Sequence, residues 1–284
     1  MSPFKNGLLA LILLGSLSGC SVLGAFFPSD AKESVPPQLP DALQRPALLL
    51  FTKTNGFRHV DGIEGGVALY ERLAAANGWG LFHTENGAVF NEADLARFDA
   101  TLWLNTTGDT LDDAQKEAFK AWLYAGGGFV GSHAAGDGSH TWPWYREHII
   151  GVEYGQHILG PQFQEARVVR DDPTHPATRG IPDDWRHVEE WYSFTESPRP
   201  IPGVRVLASV DEATYSPHID FLWFDKDISM GDHPAIWTRC VGRGRVFYSI
   251  LGHRREAFED PVHAGILEGA VRWALGLEGT GCGR

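Results

Sequence analysis

The sequence predicts one α/β domain with a doubly wound, mostly parallel β-sheet and helices on both faces. Short apolar runs alternate with segments of helical period through residues 47–130, which is the pattern of consecutive β-α-β units. Residues 126–137 then read as strand, sharp turn and helix start, an arrangement that holds one side chain at the tip of such a sheet. The 284 residues suit a single domain, since no second linker interrupts them.

The first half of the chain contains four predicted strands. The run at 47–51 follows Pro46 and is apolar throughout, as expected for a central strand that is buried on both faces. The other three strands are at 79–84, 100–104 and 129–130. One helix ends at Asn77-Gly78, a typical C-terminal stop, and a second helix is predicted at 114–124.

The second half is less regular and is read mainly as strands. Residues 241–244 form a predicted hairpin turn that resembles a phosphate loop only superficially. Trp223 and Trp237 lie on strand-like segments, so both are predicted to be core residues. The predicted strands are at 164–169, 189–194, 204–210, 234–239 and 245–250, and a final helix is at 261–275.

Residues 1–19 have the features of a bacterial lipoprotein signal peptide. Lys5 precedes an apolar run that is too short to cross a bilayer, and Leu17-Ser18-Gly19-Cys20 resembles a lipobox. The pattern predicts cleavage before Cys20 and a lipid on its sulfur, with an ordinary secretory signal as the alternative. Ser21 in the next position favours the outer membrane, with the protein facing the periplasm.

The predicted order along the mature chain is a flexible tether, the domain and a tail. The tether at 20–45 contains several prolines and shows little periodicity, the domain spans 46–277, and the tail spans 278–284. Cys240 and Cys282 are far apart in sequence and offer no disulfide framework. We therefore expect these two cysteines to remain unpaired.

The composition limits the partners that the domain can bind. Its formal net charge is −12 and its basic residues form no run, whereas a nucleic-acid surface needs clustered Lys and Arg. We therefore expect a small-molecule ligand and no nucleic acid. The sequence leaves the oligomeric state open.

The predicted topology also gives a place for a functional site. Parallel strands bring their carboxyl ends to one edge of a sheet, and α/β sheets bind ligands in the crevice beyond that edge. The loops after the first, third and fourth strands should therefore open on the same side. These loops are residues 55–59, 105–109 and 132–137.

Several motifs at these strand ends occur in a fixed order. They are Gly56-Phe57-Arg58-His59, residues 127–134, His175-Pro176, Glu189-Glu190-Trp191-Tyr192, and residues 244–248 leading to Gly252-His253. Together they resemble the ThuA-like family, which is named for trehalose utilisation, over roughly residues 46–276. The resemblance implies the flavodoxin-like fold of class I glutamine amidotransferases and a role in carbohydrate utilisation. The family usually has an Asp-Glu pair where this chain has Glu189-Glu190, so the first side chain is longer by one methylene.

The candidate catalytic residues begin with His133, at the tip of the predicted turn. Acyl-transfer enzymes place a Ser or Cys nucleophile at this position, and Ser132 lies one residue too early. We therefore expect no glutamine amidotransferase activity. The candidate catalytic residues are His133, His253, Glu190 and His59, a set that suits acid-base chemistry or a divalent metal.

A metal is the second interpretation of the histidines. No local spacing such as His-x-x-x-His marks a metal site, so distant segments would have to bind the ion together. If a divalent metal such as Zn²⁺ is present, its predicted ligands are His59, His133, His157 and His253. The alternative is that several of these histidines are structural and bond to backbone carbonyls.

Aromatic and polar side chains flank the same loops and suggest a sugar-binding surface, because the apolar faces of sugars stack on aromatic rings. The predicted substrate-binding residues are Phe57, Arg58, Ser132, Trp142, Trp144, His157, Trp191 and Tyr192. Each aromatic residue could instead belong to the core. The resulting hypothesis is a lipid-anchored enzyme of carbohydrate utilisation, and the alternative is a non-catalytic carbohydrate-binding lipoprotein.

Overall fold

The computed structural model of the chain describes residues 27–282. The predicted signal peptide and the predicted lipid attachment at Cys20 lie outside the described residues. Among the residues that are described, no helix has both the length and the apolar character needed to cross a bilayer.

The secondary structure consists of strands and helices that alternate through the first half, followed by a strand-rich second half. The strands are β1 (Ala47–Phe51), β2 (Gly80–Thr84), β3 (Ala100–Leu104), β4 (Gly128–Ser132), β5 (Tyr154–His157), β6 (Gln164–Arg170), β7 (Arg186–Glu189), β8 (Tyr192–Phe194), β9 (Arg205–Val210), β10 (His218–Phe221), β11 (Phe224–Asp227), β12 (Pro234–Val241) and β13 (Gly244–Ser249). The α-helices are α1 (Val60–Asn77), α2 (Glu92–Leu95), α3 (Asp113–Tyr124), α4 (Gly138–Thr141), α5 (Pro143–Tyr145), α6 (Arg255–Glu259) and α7 (Pro261–Ala274).

Within residues 27–282, the central sheet has nine strands in the order β2-β1-β3-β4-β13-β12-β9-β6-β7. The strands from β2 to β13 in this order are parallel, which confirms the predicted α/β fold. The remaining neighbours pair antiparallel. The antiparallel part begins where Gly242 and Arg243 join β12 to β13, because so short a connection can only reverse the chain.

Helices cover both faces of the parallel strands, as predicted. Neighbouring residues on a strand point to opposite faces, and β3 shows this directly. Leu104 faces α1, where a Cβ added to Gly66 would come within 2.6 Å of it. Trp103 faces α3, and its ring centroid lies 5.3 Å from that of Phe119.

The carboxyl ends of the parallel strands lie at one edge of the sheet. Leu104 of β3 is in register with Ser132 of β4, which is in register with Ser249 of β13. The loops after these strands therefore open at the same edge, as predicted. We call it the carboxyl edge.

The predicted strand at 189–194 is instead two separate strands. β7 belongs to the central sheet, whereas β8 pairs with β5 in a small second sheet. Glu190 and Trp191 form the break between them. The chain turns here, which frees Glu190 from strand pairing and brings it to the carboxyl edge.

Part of the predicted tether lies against the domain rather than extending from it. Lys53 is almost fully buried at the end of β1, and its ammonium group lies 2.6 Å from the Glu33 carboxylate. A buried charge needs such a partner, so this ion pair holds the segment in place. Leu39 adds an apolar contact, since only 8% of its surface is exposed.

Two further expectations from the sequence are wrong. Cys240 and Cys282 form a disulfide with a Cα–Cα distance of 5.5 Å, because the tail folds back after α7 and the Trp273 indole donates to the Thr280 carbonyl. Trp223 is not a core residue, since 78% of its surface is exposed at the end of a hairpin. Trp237, by contrast, is buried as predicted.

Candidate functional site

His133 stands at the tip of the turn after β4, as the sequence predicts. Its backbone φ is 49°, a left-handed value that is uncommon for a residue other than glycine. Small neighbours make this turn possible, since a Cβ at Gly136 would come within 2.4 Å of the Tyr248 hydroxyl. The same hydroxyl donates to the His133 carbonyl at 2.7 Å, and the imidazole Nδ1 donates to the Ile250 carbonyl at 2.7 Å.

His253 is positioned by a buried carboxylate. Glu189 accepts hydrogen bonds from the backbone N–H groups of Gly252, at 2.7 Å, and His253, at 3.3 Å. Burial alone would raise the pKa of Glu189, but His187 and these contacts lower it to about 2. The longer side chain at the first position of the Glu189-Glu190 pair therefore reaches the loop that carries His253.

Asn105 connects the two histidine loops and was not among the residues chosen from the sequence. It is fully buried, and its φ of 53° is also left-handed. Its Nδ2 donates to the Gly252 carbonyl at 2.9 Å, and its Oδ1 accepts from the Ala134 N–H at 3.2 Å. The available signal was an amide side chain directly after a predicted parallel strand.

Four of the predicted residues converge at the carboxyl edge. The His253 Nδ1 lies 3.1 Å from the His133 Nε2 and 2.9 Å from the Glu190 Oε2, and the Glu190 Oε2 lies 3.6 Å from the His133 Nε2. The His59 ring lies 4.9 Å from the His133 ring and 4.6 Å from the His253 ring, between centroids. One donor atom from each of these four residues lies within 4.8 Å of all the others.

Ring nitrogens and one carboxylate oxygen face one another in this cluster. The His133 Nδ1 donates to the Ile250 carbonyl, which leaves the Nε2 as the His133 nitrogen that faces the cluster. The His253 Nδ1 faces both this nitrogen and the Glu190 Oε2. Nitrogen and carboxylate oxygen atoms, which are common donor atoms of metal sites, therefore converge here.

Burial and charge set the protonation of the other members. Burial lowers the pKa of His59 well below its usual value, and the neighbouring histidines lower it further, so this ring is neutral. Burial opposes ionisation of Glu190, but hydrogen bonds from His133 and His253 lower its pKa well below the usual range. Although burial lowers the pKa of His253, the Glu190 carboxylate raises it on balance.

The donor set fits a divalent cation such as Zn²⁺. Ligand bonds of about 2.0–2.1 Å in a tetrahedral site place neighbouring donor atoms roughly 3.3 Å apart, close to the three separations measured here. The hydrogen bond from the His133 Nδ1 to a carbonyl also matches the way in which metal-binding histidines are held. The four side chains that could hold such an ion together are His59, His133, Glu190 and His253. This group contains Glu190 in place of the His157 that the sequence predicts as a possible ligand.

His157 lies on the outer side of Glu190. Its Nδ1 is 3.1 Å from the other carboxylate oxygen, Oε1, and about a third of its side chain is exposed. The side-chain amide of Gln162 donates to the same oxygen. Glu190 thus links the buried cluster to a partly exposed imidazole, and we call the side of the cluster at His157 and Gln162 the entrance.

Three aromatic rings border the cluster. The Phe57 ring lies 4.7 Å from the His59 ring, and the Tyr192 ring lies 4.1 Å from the His133 ring. The third ring belongs to Phe163, lies 5.0 Å from the His253 ring and was not predicted. No sequence motif marked it, because its place depends on the fold of the loop after β5.

The structure does not bring the other predicted binding residues to the cluster. Trp142 and Trp144 pack on Phe119 of α3, and Trp191 is fully buried with its indole bonded to the Gln164 carbonyl. These tryptophans therefore pack within the domain and do not contribute rings to the histidine cluster.

Two polar residues from the predicted binding set, Arg58 and Ser132, also lie outside the histidine cluster. Arg58 pairs with Glu85 at 2.6 Å. The Ser132 hydroxyl is buried beneath the turn and has no hydrogen-bond partner among the described residues. Neither side chain contacts the histidine cluster.

Comparison with known proteins adds a family and a fold. The family model described as trehalose utilisation matches residues 47–274. A ThuA-like protein from Bacteroides uniformis ATCC 8492 is 27% identical, with a TM-score of 0.68, over 84% of this chain and 95% of that chain. A ThuA-like protein from Parabacteroides merdae ATCC 43184 is 20% identical, with a TM-score of 0.60, over 82% and 91%.

A more distant likeness shows the fold alone. The β-galactosidase from Rahnella sp. R3 is 16% identical, with a TM-score of 0.52, and the match covers 83% of this chain but 32% of that one. None of the curated proteins is significantly similar to the chain.

Proposed function

The chain belongs to the ThuA family, whose model matches most of its length, and we propose that it is an enzyme that acts on a sugar or sugar derivative. In this proposal the His and Glu cluster binds a divalent cation and carries the reaction. The family description, trehalose utilisation, supports a carbohydrate substrate.

The convergence of nitrogen and oxygen donor atoms in the cluster is the observation that carries the proposal. His133, His253 and Glu190 place three donor atoms within 3.6 Å of one another. A donor atom of His59 lies within 4.8 Å of all three. Nitrogen and carboxylate oxygen atoms at these separations suit a divalent cation held by the four side chains.

The residues around the cluster have separate tasks in this proposal. When bound, the cation supplies Lewis acidity. His157 is partly exposed beside Glu190, so it is placed to take a proton from a sugar hydroxyl or return one. Phe57 and Phe163 border the cluster, and in this proposal their rings cover the apolar face of a sugar and exclude water.

The proposal is tested by metal content together with turnover. Protein purified without chelators should contain about one divalent cation per chain, measured by plasma mass spectrometry. His133→Ala and Glu190→Gln should lose the metal and the turnover of trehalose or a related glycoside. His148→Ala, which changes a histidine outside the cluster, should keep both. Full turnover by metal-free protein would refute the proposed role of the metal. Full turnover by His133→Ala would refute the cluster as the active site.

A second candidate is a carbohydrate-binding protein without catalysis. It is favoured by the tip of the turn, which lacks a nucleophile, and by the burial of the Ser132 hydroxyl. Calorimetry with disaccharides would then show binding, while mass spectrometry of the same mixtures would show no product. Product formation excludes this candidate.

We also propose that the protein is a lipoprotein of the bacterial outer membrane that faces the periplasm. The disulfide between Cys240 and Cys282 supports an oxidising compartment. Cys20→Ala should move the protein from the membrane fraction to the soluble fraction of the cell envelope. An unchanged membrane fraction would contradict lipid attachment at Cys20.

A further inference from the structure

A hairpin beside the entrance exposes four consecutive large apolar side chains. It consists of β10 and β11 and is called the aromatic hairpin here. The exposed fractions are 45% for Phe221, 65% for Leu222, 78% for Trp223 and 59% for Phe224. Burial of such a patch would be favourable, and exposed patches of this kind often mark binding sites.

The two faces of the aromatic hairpin differ in character. Phe221 pairs with Phe224, and two residues further along Ile219 pairs with Lys226, so these side chains share one face. Ile219 packs against the core of the domain. The two phenylalanines therefore extend the side of the hairpin that faces the body of the protein. The opposite face carries His218, Asp220, Asp225 and Asp227.

The hairpin is bonded to the loop that forms the entrance of the site. The Asp220 N–H donates to the Leu159 carbonyl at 2.8 Å, and the Ser216 N–H donates to the Gln164 side chain at 2.9 Å. Between Leu159 and Gln164 the loop carries Gln162, which contacts Glu190, and Phe163, which contacts His253. The aromatic hairpin is thus fixed to the loop that contacts the histidine cluster.

We propose that the aromatic hairpin binds the distal sugar units of an oligosaccharide whose terminal unit lies at the histidine cluster. The inference rests on the proposed carbohydrate function and names its substrate class as chains of three or more sugars. The rings of Trp223 and Phe224 present flat apolar surfaces, which stack on the apolar faces of successive sugar rings.

The size of the patch argues against a second copy of the chain as its partner, and the charge around the patch argues against a membrane surface. Its exposed apolar area is on the order of 500 Å², taking roughly 150–250 Å² for each aromatic side chain, whereas a stable dimer buries about 800 Å² per partner. Asp220, Asp225 and Asp227 outnumber Lys226 on the two strands. An anionic membrane surface would repel these aspartates, whereas a neutral sugar would not be repelled.

The test compares binding of linear glucose oligosaccharides of increasing length. The His133→Ala protein, used so that no ligand is consumed, should bind a hexasaccharide at least tenfold more tightly than a disaccharide by calorimetry. Adding Trp223→Ser and Phe224→Ser should remove this gain without changing the affinity for the disaccharide. Leu277→Ser, which removes another exposed apolar side chain, should leave the gain intact.

Each other outcome overturns the inference. Equal affinities for short and long chains, or a gain that survives the hairpin substitutions, would exclude a distal subsite. A dimer that dissociates in the Trp223→Ser and Phe224→Ser variant, detected by light scattering, would assign the hairpin to a second copy. Loss of turnover in His133→Ala is measured separately, so the proposed function and the distal subsite can fail independently.

Discussion

Glu189 shows how one buried carboxylate can position the loop of His253 through its backbone. It accepts from two consecutive backbone N–H groups at Gly252 and His253, and a third bond comes from the Glu190 N–H. It therefore orients both His253 and Glu190. We regard Glu189 as a positioning residue of the site.

Replacing Glu189 by Ala should weaken metal binding while leaving all four proposed ligands in place. The substitution leaves buried N–H groups without a partner, which costs about 1–3 kcal/mol in the free energy of unfolding. Glu189→Gln keeps an oxygen acceptor and should retain more metal affinity. Competitive chelator titration measures the affinity and urea unfolding measures the stability. Equal metal affinity in wild type and Glu189→Ala would contradict the positioning role.

His175 should make the protein less stable in mild acid. Burial lowers its pKa to about 4 in the folded state, whereas the unfolded value is about 6.5. Between these pH values the unfolded chain binds a proton that the folded chain does not, so stability falls as the pH drops from about 6.5 to about 4. The largest expected contribution is about 3 kcal/mol.

His175→Asn isolates this effect. An Asn oxygen can replace the Nδ1 that accepts from the Ala177 N–H at 3.2 Å, but it does not titrate. The loss of unfolding free energy between pH 7 and pH 4.5, measured with urea, should be smaller in the variant than in wild type. His148→Asn is the control and should keep the wild-type slope. If the unfolding free energies of His175→Asn and wild type fall equally between pH 7 and pH 4.5, His175 is not the source of this pH dependence.

At the scale of elements, the start of α1 packs so closely on the histidine loops that only glycine fits. A Cβ at Gly62 would come within 2.5 Å of the His253 carbonyl and 2.7 Å of the Asn105 side chain. Both neighbours belong to the network that positions the cluster. Helix α1 therefore packs directly against the loop that carries His253.

Gly62→Ala should lower metal affinity and turnover, because the His253 loop must move to admit the methyl group. Gly265→Ala in α7 is the matched control, since nothing lies within 4 Å of its added Cβ. This control should be neutral or more stable by up to about 1 kcal/mol, since Ala favours helix more than Gly does. Chelator competition and thermal unfolding test both variants. Normal metal affinity in Gly62→Ala would show that the loop tolerates displacement.

At the scale of the whole molecule, the disulfide joins the tail to β12 and closes a segment with a sequence separation of 42. A loop of this length is expected to stabilise the fold by up to roughly 4 kcal/mol through the lower entropy of the unfolded chain. The bond lies in the antiparallel part of the sheet, away from the loops that carry the histidines.

Cys240→Ser combined with Cys282→Ser should therefore lower the melting temperature, by up to roughly 10 °C, and leave metal affinity unchanged. Reducing agent should lower the melting temperature of wild type similarly and should not affect the double variant. A drop in metal affinity would instead mean that the tail influences the site.

Local sequence patterns were sufficient to predict the α/β class, the parallel strands and the edge of the sheet at which the candidate site lies. Strand β1 is apolar along its whole length, β3 is apolar except for Thr101, and the turn after β4 is marked by small residues around His133. These features depend on neighbours in sequence, which is why they can be recognised without coordinates.

The membership of the site depended on contacts between residues that are distant in sequence. Glu190, and not His157, joins the three histidines that could hold a metal ion, because the chain leaves the central sheet between β7 and β8. Phe163 reaches the cluster through an irregular loop, and Trp191 is buried instead of exposed. Cys240 and Cys282 meet because the tail turns back on β12. Sequence spacing carries little information about such distances, since they follow from how strands and loops pack in three dimensions.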